Sequence, residues 1–169
     1  MGNIDSVHTQ RWAKAFTQMG YDVHVVYMGG EENNILDLKK SGISVHLLNS
    51  QVLTNSFVGY TKSAEKSSGL RNVGLHFYRR LPEWITTPLK MYLVNPRRLK
   101  KLLKEIQPDI LHAWFLYDAG CMAALSGYRP LIVSSWGGDV IFTSFDHDRP
   151  LWILKWANRL TLKKADMIT

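Results

Sequence analysis

The groups that could move protons, hold a metal or bind polar ligands in this chain are six histidines, fourteen carboxylates and one cysteine. Three of their settings stand out. His112 sits near the end of the apolar run Ile110–Trp114. Side chains at the C-terminal ends of parallel strands face the crevice where ligands bind in α/β sheets, and an imidazole there can exchange a proton or bond a hydroxyl near neutral pH. Gly137-Gly138-Asp139 follows a second apolar run, Leu131–Ser135. Paired glycines let a ligand approach the backbone closely, and the carboxylate could bond hydroxyls or act as a base. His8 lies just inside a helix that starts after Ser6, where a helix N-terminus favours anions and the ring could bond a hydroxyl or phosphate. Each has a structural alternative that the residues alone leave open: a core histidine, a capped turn and a surface histidine.

The remaining candidates read differently. His24 and His46 fall within strand-like runs and are read as structural; Asp118 is read as a helix N-cap. Asp146-His147-Asp148 could be imagined around a metal, but adjacent residues seldom point at one ion, and no metal is expected. Cys121 is the single cysteine, which excludes an internal disulfide and a multi-cysteine metal site. There is no phosphate-binding P-loop, no intact G-x-G-x-x-G, no serine-nucleophile elbow and no zinc spacing.

The elements that must position these groups alternate. A helix begins after Ser6 with an apolar stripe of Val7, Trp12, Ala15, Phe16 and Met19, and Gly20 closes it. Strand-like runs follow at Tyr21–Tyr27 and Ile43–Leu48, with a short helix around Ile35–Leu38 between them. Residues 49–95 resist parsing, and the part around Ser63–Gly69 reads as a polar loop. Asn95-Pro96 opens a helix whose inner stripe is Leu99, Leu102, Leu103 and Ile106, stopped by Pro108. Then come a third strand, Ile110–Trp114, a small-residue helix, Ala119–Leu125, and a fourth strand, Leu131–Ser135. Pro150 opens a last helix with an expected inner face of Leu151, Leu154, Trp156 or Ala157, Leu160 and Leu162, before a strand beginning at Met167. Trp136, Trp152 and Trp156 are expected in the core or at an interface. This alternation implies the α/β class: a Rossmann-like parallel sheet with helices on both faces, one domain over residues 1–169. The chain opens on a helix-entry loop and stops on a strand. It therefore reads as an interior piece of a larger protein, incomplete at both ends and lacking the first strand.

Composition sets outer bounds. Hydrophobic residues are 46% and charged residues 21%, a folding composition. A chain of this size buries roughly 70% of its unfolded surface. No apolar run reaches the roughly 18–20 residues that span a bilayer, and no signal peptide is visible, so a cytoplasmic location is expected, peripheral on the inner face of a membrane. The net charge of +7 is concentrated: residues 60–110 hold eleven basic and four acidic residues. Interleaved with Trp, Tyr, Phe and Leu, the stretch Lys62–Lys104 suits an anionic membrane surface. The plainer reading is a solvated helix face. No nucleic-acid-binding motif is present, and no nucleic-acid partner is expected.

Three motifs in order carry a resemblance: Pro108-Asp109-Ile110-Leu111-His112-Ala113-Trp114, Ser135-Trp136-Gly137-Gly138-Asp139-Val140 and Lys164-Ala165-Asp166-Met167-Ile168-Thr169. With the opening Gly2–Trp12, the chain resembles the N-terminal half of the retaining GT-B glycosyltransferases of the family 4 type. That resemblance implies an acceptor-side domain facing a donor-binding C-terminal domain that is absent here, so the piece by itself is expected to be inactive. It implies a nucleotide sugar as co-substrate, no metal or other cofactor, and a polysaccharide or lipid-linked sugar as acceptor. It makes His112 and Asp139 the catalytic candidates and assigns substrate contacts to Gly2, Asn3, His8, Trp114, Gly137 and Gly138. Many members carry a second histidine two residues after the first; this chain has Trp114, which can stack on a sugar but cannot shuttle a proton. In such enzymes the donor phosphate can itself take the acceptor proton. Three alternatives stay open: a non-catalytic binding module, a truncated remnant and a two-domain sugar-nucleotide epimerase. A second copy of the chain is a further expected partner, through strand donation.

Overall fold

The computed structural model describes residues 4–28, 31–48, 83–140 and 150–169. Gly2 and Asn3, the loop around Ser63–Gly69, the first part of the basic stretch and the Asp146-His147-Asp148 group lie outside the described residues. In chain order the elements are α1 (Val7–Gln18), β1 (His24–Tyr27), α2 (Glu32–Lys40), β2 (Ser44–Leu47), α3 (Glu83–Leu89), a π-helical turn (Lys90–Val94) and α4 (Asn95–Ile106). Then follow β3 (Leu111–Trp114), a second π-helical turn (Phe115–Gly120), α5 (Cys121–Ser126), β4 (Leu131–Ser134), α6 (Leu151–Lys164) and β5 (Met167–Ile168).

All strand pairs are parallel, as continuous apolar runs separated by helices require. They form two sheets, β1-β2 and β3-β4-β5. The class is the expected mixed α/β one, with helices around short parallel strands. One cluster ties the sheets together: Leu99 and Leu103 of α4 pack with Val26 of β1, Leu111 and Ala113 of β3, and Val133 of β4. A second cluster joins α1, α2 and the first sheet through Ala13, Leu38, Val25 and Ile43.

Several local expectations change. Ser6 occupies the N-cap position of α1, but its side chain makes no capping bond. The Asn95-Pro96 helix begins where expected, with Pro96 in its first turn, but it is not entered from a loop: helical backbone runs from Glu83 through the π turn into α4. Pro88 and Pro96 both lack an N–H, and the backbone between them winds as π-helix, a usual accommodation of a broken ladder. Asp118 is not an N-cap but lies inside the second π turn. Trp152 is 71% exposed and Trp156 45%, so neither is core. The buried face of α6 is Ile153, Leu154, Ala157, Asn158 and Thr161: of the expected inner face Leu154 and Ala157 are buried and Leu160 is partly so, whereas Leu151, Trp156 and Leu162 are exposed. His24 and His46 are structural as read. Their rings stack at 5.1 Å across β1 and β2, with Nδ1 of His24 2.9 Å from Nε2 of His46. Burial, then the neighbouring His24 charge, lowers the His46 pKa.

Candidate functional site

The site forms where β3 and β4 end. Side chains alternate across a strand, so Leu111 and Ala113 enter the core while His112 and Trp114 share the other face. Their rings lie 4.5 Å apart. Nε2 of His112 is 2.8 Å from the Ser134 hydroxyl on β4, which is 2.6 Å from the Thr169 hydroxyl. Burial lowers the His112 pKa to about 4, so the ring is an uncharged imidazole at neutral pH. It can donate or accept a hydrogen bond there but carries no spare proton as an acid.

Aromatic rings extend outward from this pair. Trp114 meets Trp136 edge-on at 5.4 Å, and Trp136 meets the His8 ring edge-on at 4.2 Å. Trp12, one turn after His8 on α1, lies 6.1 Å from Trp114 and is half exposed. Phe115 covers the remaining side of Trp136 at 5.6 Å. Three separate segments thus converge: the start of α1, the end of β3 and the turn after β4. Gly137 and Gly138 lie exposed at the rim, next to Trp136. Gly137 has a φ of +73°, which glycine adopts without penalty.

Asp139 does something other than face a ligand. It is fully buried. One carboxylate oxygen accepts the Leu116 N–H at 2.7 Å; the other accepts the Trp136 N–H at 2.9 Å and the Ser135 hydroxyl at 3.1 Å. A carboxylate so engaged has no oxygen turned to the cleft, and its base role is not supported by this geometry. Instead it binds the turn after β4 to the turn after β3. That second turn needs holding, because Phe115 has a φ of +69°, a costly value for an aromatic residue. α6 grips both turns from behind: Asn158 Nδ2 donates to the Asp139 carbonyl at 2.7 Å, and the Thr161 hydroxyl lies 2.8 Å from the Leu116 carbonyl. Gly120 completes the packing; a Cβ there would sit 2.6 Å from the Phe115 carbonyl oxygen.

Of the residues singled out in the sequence, the structure brings His8, His112, Trp114, Gly137 and Gly138 to one place, with Asp139 beneath them. The sequence reading left out Trp12 as a site residue, although its spacing of four from His8 puts both on one helix face. Ser134, Thr169, Asn158 and Thr161 carried no local signal, since their partners are distant in the chain. Cys121 is no nucleophile: burial pushes its thiol up to about 12. Among the described residues, no three His, Cys, Asp or Glu side chains gather as a metal site.

Residues 1–169 match the family model described as glycosyl transferase 4-like. No curated protein and no solved structure gives a significant match.

Proposed function

Because the chain belongs to the glycosyl transferase 4-like family, we propose that it is the acceptor-side domain of a retaining enzyme that moves a sugar from a nucleotide-sugar donor to a polysaccharide or lipid-linked acceptor. The observation that carries the reading is the convergence of His8, Trp12, His112, Trp114 and Trp136 beside an exposed Gly137-Gly138 turn. Half-exposed indole faces stack on the C–H faces of pyranoses, and imidazoles bond their hydroxyls. Trp12 and Trp136 would hold the acceptor ring, with His8 on a hydroxyl. Gly137 and Gly138 would offer open backbone at the rim, with Gly2 and Asn3 as further contacts. His112 would orient the reacting hydroxyl as a neutral hydrogen-bonding group. The acceptor oxygen bonds to the anomeric carbon, the bond to the leaving phosphate breaks with its electron pair, and a phosphate oxygen takes the acceptor proton. No metal is required by this scheme, and the work is expected on the cytoplasmic side of a membrane.

The test combines transfer and binding. The protein is incubated with radiolabelled UDP-, GDP- and ADP-sugars and crude lipid and polysaccharide extracts, and oligosaccharide binding is followed by tryptophan fluorescence. Trp12→Ala should weaken acceptor binding by about tenfold, the value of one lost aromatic stacking contact. A protein that neither transfers nor binds sugars would sink the reading. Sugar binding by this chain with transfer only by the longer reading frame is the expected outcome, since the acceptor side alone is not expected to transfer. Sugar binding with transfer by neither would favour the second reading, a binding module, which one observation supports: the carboxylate at the rim turn is wholly engaged with the protein's own groups.

A further inference from the structure

The outward face of α6 does not look like the solvated side of a helix. Helical spacing puts Trp152, Lys155, Trp156, Arg159 and Lys163 on one side, opposite the buried Ile153, Leu154, Ala157 and Thr161. Leu151 and Leu162 flank that side, 49% and 52% exposed. Trp152 is the most exposed of these at 71%. The face thus has aromatic and aliphatic borders around a cationic centre. No acid occurs in Leu151–Lys164, and among the described residues none of the ion pairs engages Lys155, Arg159 or Lys163. A groove of about 400 Å³ runs between Trp156, Arg159, Leu160, Leu162 and Lys163. Trp156 is braced from below, edge-on to Tyr92 at 5.5 Å. Leaving four large apolar side chains in water on one face is unfavourable unless something covers them.

We propose that this face of α6 is a docking surface for an anionic phospholipid bilayer, on which the helix lies in the plane of the interface. The argument is charge complementarity joined to apolar area. Cations interspersed with Trp and Leu match the boundary between phosphate headgroups and acyl chains. The groove, apolar along its length and bordered by Arg159 and Lys163, suits a headgroup phosphate above its glycerol and acyl chains. Among the described residues no helix is long and apolar enough to cross a membrane, so the contact is interfacial. The site differs from the Lys62–Lys104 stretch that the charge distribution suggested. Within that stretch, α4 turns Lys100, Lys101 and Lys104 outward without exposed aromatic neighbours on its own face. Docking through α6 would also hold the sugar cleft near the bilayer, because Asn158 and Thr161 on the opposite face hold both turns of the site. The surface contact does not rest on sugar transfer and is read without it.

Co-sedimentation of the whole chain with vesicles tests the proposal. Vesicles of phosphatidylcholine alone are compared with vesicles in which phosphatidylglycerol replaces part of the lipid. Binding to the anionic vesicles and not to the neutral ones, weakened by salt, is expected. Lys155→Glu with Arg159→Glu should lower it by about 25-fold, taking about fivefold for each basic residue lost. Trp152→Ser should lower it by about tenfold through lost apolar burial. Trp152 is so exposed that its substitution leaves the fold intact, so this variant decides the matter if the charge-reversed one misfolds; circular dichroism checks both. Equal binding to the two vesicle types would overturn the proposal. So would α6 variants that bind as the unaltered protein does, or a Lys100→Glu, Lys101→Glu variant that loses as much binding as the α6 ones. A stable dimer that sequesters Trp152 without lipid would overturn it as well, assigning the face to a second copy.

Discussion

His112 is the residue where chemistry and stability meet. Its folded pKa near 4 lies below the value of about 6.5 expected for an unfolded histidine, because burial disfavours the charged ring. Between those values the unfolded chain binds a proton that the folded chain refuses. The stabilising contribution is therefore complete above about pH 6.5 and is lost as the pH falls toward 4. His112→Gln, which can keep a hydrogen bond to Ser134, should flatten the fall in urea midpoint between neutral and mildly acidic pH. Equal slopes in the two proteins would show that the folded ring takes up its proton over the same pH range as the unfolded one. For catalysis the same shift means that His112 does not act as an imidazolium acid at neutral pH. Its place at a strand end could be read from the sequence, since the apolar run and the following turn mark where β3 stops. Its neutrality could not, because it arises from packing against Trp114 and β4.

At the scale of elements, Asp139 and α6 show why part of the site was illegible. A Gly-Gly-Asp turn after a parallel strand looks like a ligand loop, and its glycines do lie open at the rim. The aspartate instead turns inward to satisfy Leu116 and Trp136 N–H groups in two turns. Asp139→Ala should cost roughly 3 kcal/mol, because it leaves buried donors without acceptors. Asp139→Asn should cost less, as its one carbonyl oxygen still accepts. Urea denaturation of both variants measures this, and an Asp139→Ala variant as stable as the parent would remove the carboxylate from its structural role. The same demand for partners rotated the buried face of α6. Hydrophobicity alone favours Leu151, Leu154, Trp156 or Ala157, Leu160 and Leu162 as the inner face, and of these Leu154 and Ala157 are fully buried. Asn158 and Thr161 go inside because the carbonyls of Asp139 and Leu116 must be bonded where water does not reach. The displaced apolar residues then form the outer face on which the membrane proposal rests.

Across the whole molecule, the alternation of helix and strand made the parallel α/β class legible, and the buried Leu99 and Leu103 follow the expected stripe of α4. The long-range arrangement was not legible: nothing local in Val26, Leu48 or Val133 says that one helix will pack against strands of two sheets. That arrangement has a mechanical consequence. The two sheets share no backbone hydrogen bonds among the described residues, so α4 and its cluster carry much of the coupling between them. The candidate site spans the same junction, since Trp12 comes from the helix packed on the first sheet and Trp114 from the second. Leu99 is fully buried at this point, and Leu99→Ala should destabilise the fold by about 2–5 kcal/mol. The informative readout is cooperativity. In the parent, far-ultraviolet circular dichroism and tryptophan fluorescence should report one coincident urea transition. In Leu99→Ala the fluorescence transition should precede the loss of helix, because the Trp12–Trp114 contact needs the two sheets held together. Coincident transitions in both proteins, shifted equally, would mean that contacts other than the α4 cluster couple the sheets.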